Sequence, residues 1–177
     1  MRSSYKIFHN ECVYFITSTT VEWIPVFTSQ KYFDILIASM KYCREEKSLS
    51  IFAYVILDNH FHLLCQAPEL SKTIQSLKRH TAKCILEQLE ADHKKWMLNL
   101  FSYYKKMHKT ASDHQVWQEG FHPQEIMNEE MLVNKIEYIH YNPVRRGLVK
   151  KPEHWIFSSA TDYDDGHGVL EIDRLEI

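Results

Sequence analysis

The stretch IFAYVILDNHFHLLCQ, residues 51–66, decides the fold. Seven apolar residues run unbroken from Ile51 to Leu57, too few for a good helix, and read as a buried strand. Asp58-Asn59 supplies a two-residue turn, and HFHLLCQ returns as a second strand, so the stretch is a tight hairpin. Side chains at i and i+2 of a strand share a face. His60 and His62 therefore project together, while Phe61 and Leu63 point the other way, into the core.

Outward from the hairpin, CVYFITST (12–19) is a short apolar strand, and 29–46 has helical spacing through Phe33, Leu36, Ile37, Met40 and Cys43. A second helix is predicted over 71–90 with Ser71 as N-cap and Ile74, Leu77, Cys84 and Ile85 on one side. Lys72, Arg79 and Lys83 form a stripe opposite, which is either a solvated face or a phosphate-tracking one. Residues 91–114 mix aromatics with lysines and read as a helical insertion or loop. A strand is expected within 116–127, then a helix over 128–141 ended by Pro143. The order β-α-β-β-α-(insertion)-β-α is that of an α+β, ferredoxin-like split βαβ sheet. Two helices cover one face of such a sheet, and the other is open to a ligand or a further helix.

The 177 residues suit one domain spanning 1–177. No apolar run reaches membrane-span length, and MRSSYKIFHNE lacks the apolar segment of a secretion signal, so a cytoplasmic location is expected. Four cysteines, Cys12, Cys43, Cys65 and Cys84, form no CxxC pair and are expected as reduced core residues. A net charge of -2 argues against a nucleic-acid partner unless the basic residues cluster.

Two constellations bear chemistry. Adjacent neutral imidazoles of His60 and His62 make half of a divalent-metal site. Taken alone, the pair is equally consistent with unrelated strand histidines in a chain that has eleven. On the last helix, Tyr138 and Asn142 lie four residues apart and so share a face. By spacing alone they read as a half-buried aromatic and a residue closing the helix before Pro143.

LDNHFHLL, followed about 75 residues later by YIHYNPVRRGLV, resembles the HUH single-tyrosine transposases (the IS200-like family). The likeness is strongest to their REP-associated tyrosine branch. It extends over SKTIQSLKRHTAK, VWQEGFH and HWIFSSATDY. The resemblance implies that His60 and His62 bind a metal and that Tyr138 is the nucleophile, carried on the C-terminal helix. Asn142 falls where relatives place a third polar ligand, and its side chain is shorter than the glutamine of some branches. Asp58 is a competing ligand, disfavoured by its place in the tight turn.

The implied reaction is attack of Tyr138 on a DNA phosphodiester, giving a 5′-phosphotyrosine and a free 3′-hydroxyl. The implied cofactor is Mg²⁺ or Mn²⁺, the imidazoles favouring Mn²⁺. The partner would be single-stranded or hairpin DNA, met by a monomer or homodimer. Lys72, Lys78, Arg79 and Lys83 form one candidate DNA track, and Arg145, Arg146, Lys150 and Lys151 another. Trp117, Phe121 and His122 are candidates for base stacking, though the two large aromatics in a strand read more readily as core. The alternative functions are a catalytically silent hairpin-DNA-binding protein or repressor, and a metallohydrolase using activated water.

Overall fold

The computed structural model describes residue Ile7, residues 9–164 and residues 166–175. Most of the N-terminal segment read above for a secretion signal lies outside these residues. Strand β1 (Tyr14–Thr19) leads through helix α1 (Gln30–Lys47) to the hairpin β2 (Ser50–Ile56) and β3 (His60–Gln66). Helices α2 (Leu70–Ala91) and α3 (Lys95–Tyr103) follow, then β4 (Gln124–Glu125), α4 (Glu129–Arg145) and the short α5 (Ala160–Tyr163). The four strands are ordered β2-β3-β1-β4, and the paired neighbours are antiparallel. This is the expected split βαβ sheet.

Each sheet face has its own apolar cluster. Ile16, Ile51, Tyr54, Phe61, Leu63 and Cys65 pack with the apolar stripes of α1 and α2. Phe15, Ala53, Val55 and Leu64 form the opposite face, and Leu132 and Ile139 of α4 close it. The alternation predicted for the hairpin is thus realised, and the face carrying His60 and His62 is the one that receives α4.

The hairpin closes on Asp58-Asn59, with Leu57 N–H donating to the His60 carbonyl at 2.8 Å. Four local expectations need correction. Helix α2 begins at Leu70 with Glu69 as its N-cap residue, so Ser71 lies inside the first turn. Leu70 is 1% exposed, and its burial draws the helix start two residues earlier than the hydroxyl cap suggested. Pro143 does not stop α4, which runs to Arg145. The stop is Gly147 at φ +72: Gly147 N–H donates to Val144 O and Leu148 N–H to Pro143 O, both at 2.9 Å. That pair of bonds is a Schellman cap, which needs the left-handed residue that glycine supplies.

The strand expected within 116–127 shrinks to β4 and an isolated bridge between Thr20 and Trp117. Gly120 and His122 take positive φ, and Pro123 offers no N–H, so the ladder along β1 is broken between two short pairings. Cys43 and Cys65 are buried as expected, whereas Cys12 and Cys84 are only partly so. Within 91–114 the regular element is α3, whose Met97 and Phe101 are buried. Among the described residues no helix is long and apolar enough to cross a membrane.

The outer edge of β2 is covered by the segment after α4. Ile56 N–H donates to Phe157 O (2.9 Å), Ser159 N–H to Tyr54 O (3.0 Å), and Trp155 Nε1 to Ile56 O (2.9 Å). Ser159 Oγ also lies 2.9 Å from His140 Nε2, tying α4 to the same edge. Burial lowers the His140 pKa from 6.5 to about 4. Above pH 6.5 the ring is neutral in both folded and unfolded chains, and its burial costs nothing extra. As pH falls from there toward 4, the unfolded chain takes the proton first, and stability drops by about 1.4 kcal/mol per unit. Denaturant unfolding at pH 7 and pH 5 should therefore differ by roughly 2 kcal/mol more in the wild type than in His140→Asn. Equal pH dependence in the two proteins would refute this role.

Candidate active site

Helix α4 carries two adjacent stripes. Leu132, Ile136 and Ile139 pack on the sheet, and beside them Lys135, Tyr138, Asn142 and Arg145 follow helical spacing along one flank. Burying one such aliphatic side chain contributes about 1.5–3 kcal/mol, so the apolar stripe fixes where the polar flank lies. The structure brings that flank to the histidine strand. The Tyr138 ring sits 5.3 Å from the His62 ring, edge to face, and 5.8 Å from Phe15. His60 and His62 are 4.9 Å apart by ring centroid, and Phe15 stacks on His62 at 5.2 Å.

Each imidazole is held by a side-chain oxygen. Thr17, directly across the ladder from His62, places Oγ1 2.8 Å from its Nδ1. Asn59 Oδ1 lies 2.6 Å from His60 Nδ1. An amide oxygen can only accept, which assigns the His60 proton to Nδ1 and leaves Nε2 with its lone pair. His62 Nε2 is buried and has no hydrogen-bond partner. Burial, with the Arg146 guanidinium nearby, lowers the His60 pKa to about 4; burial, with His60 and Lys135 nearby, lowers that of His62 to about 3. Both rings are therefore neutral at physiological pH. Two neutral imidazoles oriented through Nδ1, one with an unpartnered Nε2, match the donor set a divalent transition ion requires.

Asn142 is 8% exposed and lies one helical turn from Tyr138, which is 39% exposed. Asp58 is engaged elsewhere: Arg146 reaches both its carboxylate oxygens, at 2.7 and 3.4 Å. Arg146 is thus an ion-pair partner tying α4 to the hairpin turn. Arg145 stays beside the tyrosine, its guanidinium 5.3 Å from the Tyr138 ring. Lys135, overlooked in the sequence, has Nζ 4.4 Å from the Phe15 ring and 5.9 Å from that of Tyr138. Its i−3 spacing from Tyr138 was the available signal. Thr17 had no such signal, because strand register is not readable from alternation alone.

The α2 cations lie beyond the opposite sheet face. Arg79 is exposed, Lys72 pairs with Glu69, and Lys83 is 3.8 Å from Glu87. Lys78 is turned toward the 118–120 loop and donates to the carbonyls of Gln118 (2.8 Å) and Gly120. Burial, with Lys109 nearby, lowers its pKa to about 8. Trp117 and Phe121 are core residues, and Trp117 Nε1 donates to Thr81 Oγ1 at 3.0 Å.

Residues 9–106 match the family described as Transposase IS200 like, more than half of the 177 residues. That span holds the hairpin, α1, α2 and α3, and stops before α4. A Haemophilus influenzae protein named as a REP-associated tyrosine transposase is 27% identical over 128 residues, 72% of this chain and 68% of its own length. A solved REP-associated tyrosine transposase bound to a REP hairpin superposes with a TM-score of 0.68 at 18% identity. The match covers 100% of this chain and 95% of that one. At that identity the likeness bears on the fold.

The Arg146–Asp58 pair is partly exposed, with side chains 35% and 40% accessible. Such pairs contribute about 0.2–1 kcal/mol, less than the apolar stripe, so the pair trims the helix position without holding the helix on. Asp58→Asn should leave the fold intact and speed amide exchange at the C-terminal end of α4 by about two- to fivefold. The charge-swapped double variant Asp58→Arg/Arg146→Asp should slow it again. Unchanged exchange in Asp58→Asn would show that the pair has no such effect.

Proposed function

Because the chain belongs to the IS200-like transposase family, we propose that it is a metal-dependent endonuclease and strand transferase acting on single-stranded, hairpin-containing DNA. Residues 1–177 act as one nuclease domain, with Tyr138 as nucleophile and His60, His62 and Asn142 as metal ligands. The observation that carries this reading is the meeting of Tyr138 with His62, 5.3 Å between rings of residues 76 positions apart in sequence.

His60, His62 and Asn142 would hold a divalent ion, Mn²⁺ in preference to Mg²⁺, and such an ion would supply Lewis-acid stabilisation of charge on the scissile phosphate and the departing oxygen. Thr17 and Asn59 keep the two imidazoles in the orientation and tautomer a ligand needs. Tyr138 Oη gives up its phenolic proton to solvent and forms a bond to phosphorus while the P–O3′ bond breaks. The electron pair leaves with the 3′ oxygen, which takes up a proton, and the 5′ phosphate remains on the tyrosine. A second 3′-hydroxyl attacking that phosphotyrosine reverses the step and joins strands. The exposure of Tyr138 suits direct access by an unpaired backbone. Lys135 and Arg145 flank its ring and attract the phosphate.

DNA beyond the cut lies along Arg79 and Lys83, which border an open cleft of about 920 Å³ between α2 and the 108–121 segment, and along Lys72, which lines a neighbouring hollow with Arg79. Lys78 shapes the wall of that cleft through its loop carbonyls, and Arg146 acts through Asp58. The structure of the hairpin-bound relative supports a hairpin as ligand.

Incubation with hairpin-bearing single-stranded DNA and Mn²⁺, read on a denaturing gel, should give a covalent protein–DNA adduct. Tyr138→Phe should abolish the adduct and keep hairpin affinity within about threefold. Chelation should suppress the adduct in the wild type. An adduct persisting in Tyr138→Phe would refute the nucleophile. Hairpin binding without any adduct would favour a binding protein or repressor, and cleavage without attached protein would favour water as nucleophile. Lys135→Met should slow adduct formation by roughly 10- to 100-fold with little change in hairpin affinity; an unchanged rate would exclude Lys135 from the reaction.

A further inference from the structure

A second set of metal-type donors lies at the other end of β1. Thr19 pairs with His60, whereas Tyr14 pairs with Glu125 of β4, five residues away along the strand. At about 3.3 Å per residue that is roughly 16 Å from the histidine pair. Just before β1 the chain makes a turn, with Cys12 N–H donating to His9 O at 3.3 Å. The turn sets His9 and Cys12 three residues apart and directs both toward Glu125. His9 Nδ1 is 3.2 Å from Glu125 Oε2, which also accepts from Tyr14 Oη at 3.0 Å. One donor atom from each of His9, Cys12 and Glu125 lies within 4.8 Å of the others.

We propose that His9, Cys12 and Glu125 bind a zinc-type cation that clips the segment before β1 to the two-residue edge strand β4. The donor set is imidazole nitrogen, thiolate sulfur and carboxylate oxygen. It selects a borderline ion such as Zn²⁺ over Mg²⁺, which takes oxygen ligands. Zinc bond lengths of about 2.0–2.3 Å put tetrahedral ligands roughly 3.3–3.8 Å apart, so side-chain rotation of about 1 Å closes the present arrangement. Binding removes the thiol proton, and the fourth position goes to water. Tyr14 holds the carboxylate in place, as outer partners of metal ligands do. The cation adds a cross-link where the sheet is weakest, since β4 has two residues and a broken ladder before it. This site is independent of the reaction proposed for Tyr138, because its ligands come from the opposite end of β1.

The test uses the full chain, stripped with a chelator and titrated with Co²⁺ as a spectroscopic substitute for Zn²⁺. A thiolate-to-cobalt charge-transfer band should appear, because the site at His60 and His62 has no sulfur. The band should vanish in Cys12→Ser, persist in Cys84→Ser and in the double variant His60→Ala/His62→Ala, and require at least roughly tenfold more Co²⁺ in Glu125→Gln. Circular dichroism of each variant checks that it is folded. In the His60→Ala/His62→Ala background, where the other candidate site is removed, Zn²⁺ should raise the melting temperature, and adding Cys12→Ser should abolish that rise. Absence of the band at saturating Co²⁺, or its survival in Cys12→Ser, would overturn the site and leave His9–Glu125 as a surface ion pair.

Discussion

The seating of α4 on the histidine-bearing face of the sheet is the constraint on which the rest depends. Neither half of the candidate site is complete alone: the hairpin supplies imidazoles and the helix supplies a phenol and an amide. Leu132 and Ile139, closing over Phe15, Val55 and Leu64, bring them together. Apolar burial of this kind is non-directional. It fixes the distance between helix and sheet but leaves rotation and sliding to weaker, directional contacts. Arg146 on Asp58 at one end and His140 on Ser159 along the helix provide them.

Charge is distributed to match. The net charge of -2 conceals a basic flank where Lys135 and Arg145 surround Tyr138, while acids near α2 neutralise part of that helix. Not every cation is free for an anionic partner: Lys78 is committed to loop carbonyls and Arg146 to a carboxylate. The imidazoles beside this positive flank are neutral, and burial is the larger cause. A buried ring pair that stayed charged would repel both a cation and the neighbouring lysine. Their neutrality leaves lone-pair donors and a positive flank side by side.

Legibility in the sequence followed the range of the interactions. The hairpin, the shared face of His60 and His62, and the shared flank of Tyr138 and Asn142 depend on neighbours a few residues apart, and periodicity reveals them. Thr17 meeting His62 depends on register between strands 45 residues apart, which no local pattern encodes. Pro143 misled because a local rule about helix breaking competed with the Schellman cap at Gly147, and the cap defines the end. The region 116–127 misled in the opposite sense, since its apolar residues suit a strand while Gly120 and His122 bend the backbone out of the ladder. That the phenol arrives beside the imidazoles is a tertiary fact, and family likeness suggested it where spacing did not.

The covering of β2 by residues 155–159 sets an order of assembly. The hairpin is local and can form as soon as it is made, but its outer edge then carries unpaired backbone groups that invite pairing with any other strand. Helix α4 follows about sixty residues later, and the covering segment comes only after it. During synthesis the chain therefore passes through a long interval with a sticky strand and no assembled candidate site. Helix α4 ends the second condition and the segment just after it ends the first, so a chain halted before α4 has neither a covered edge nor a phenol beside its imidazoles.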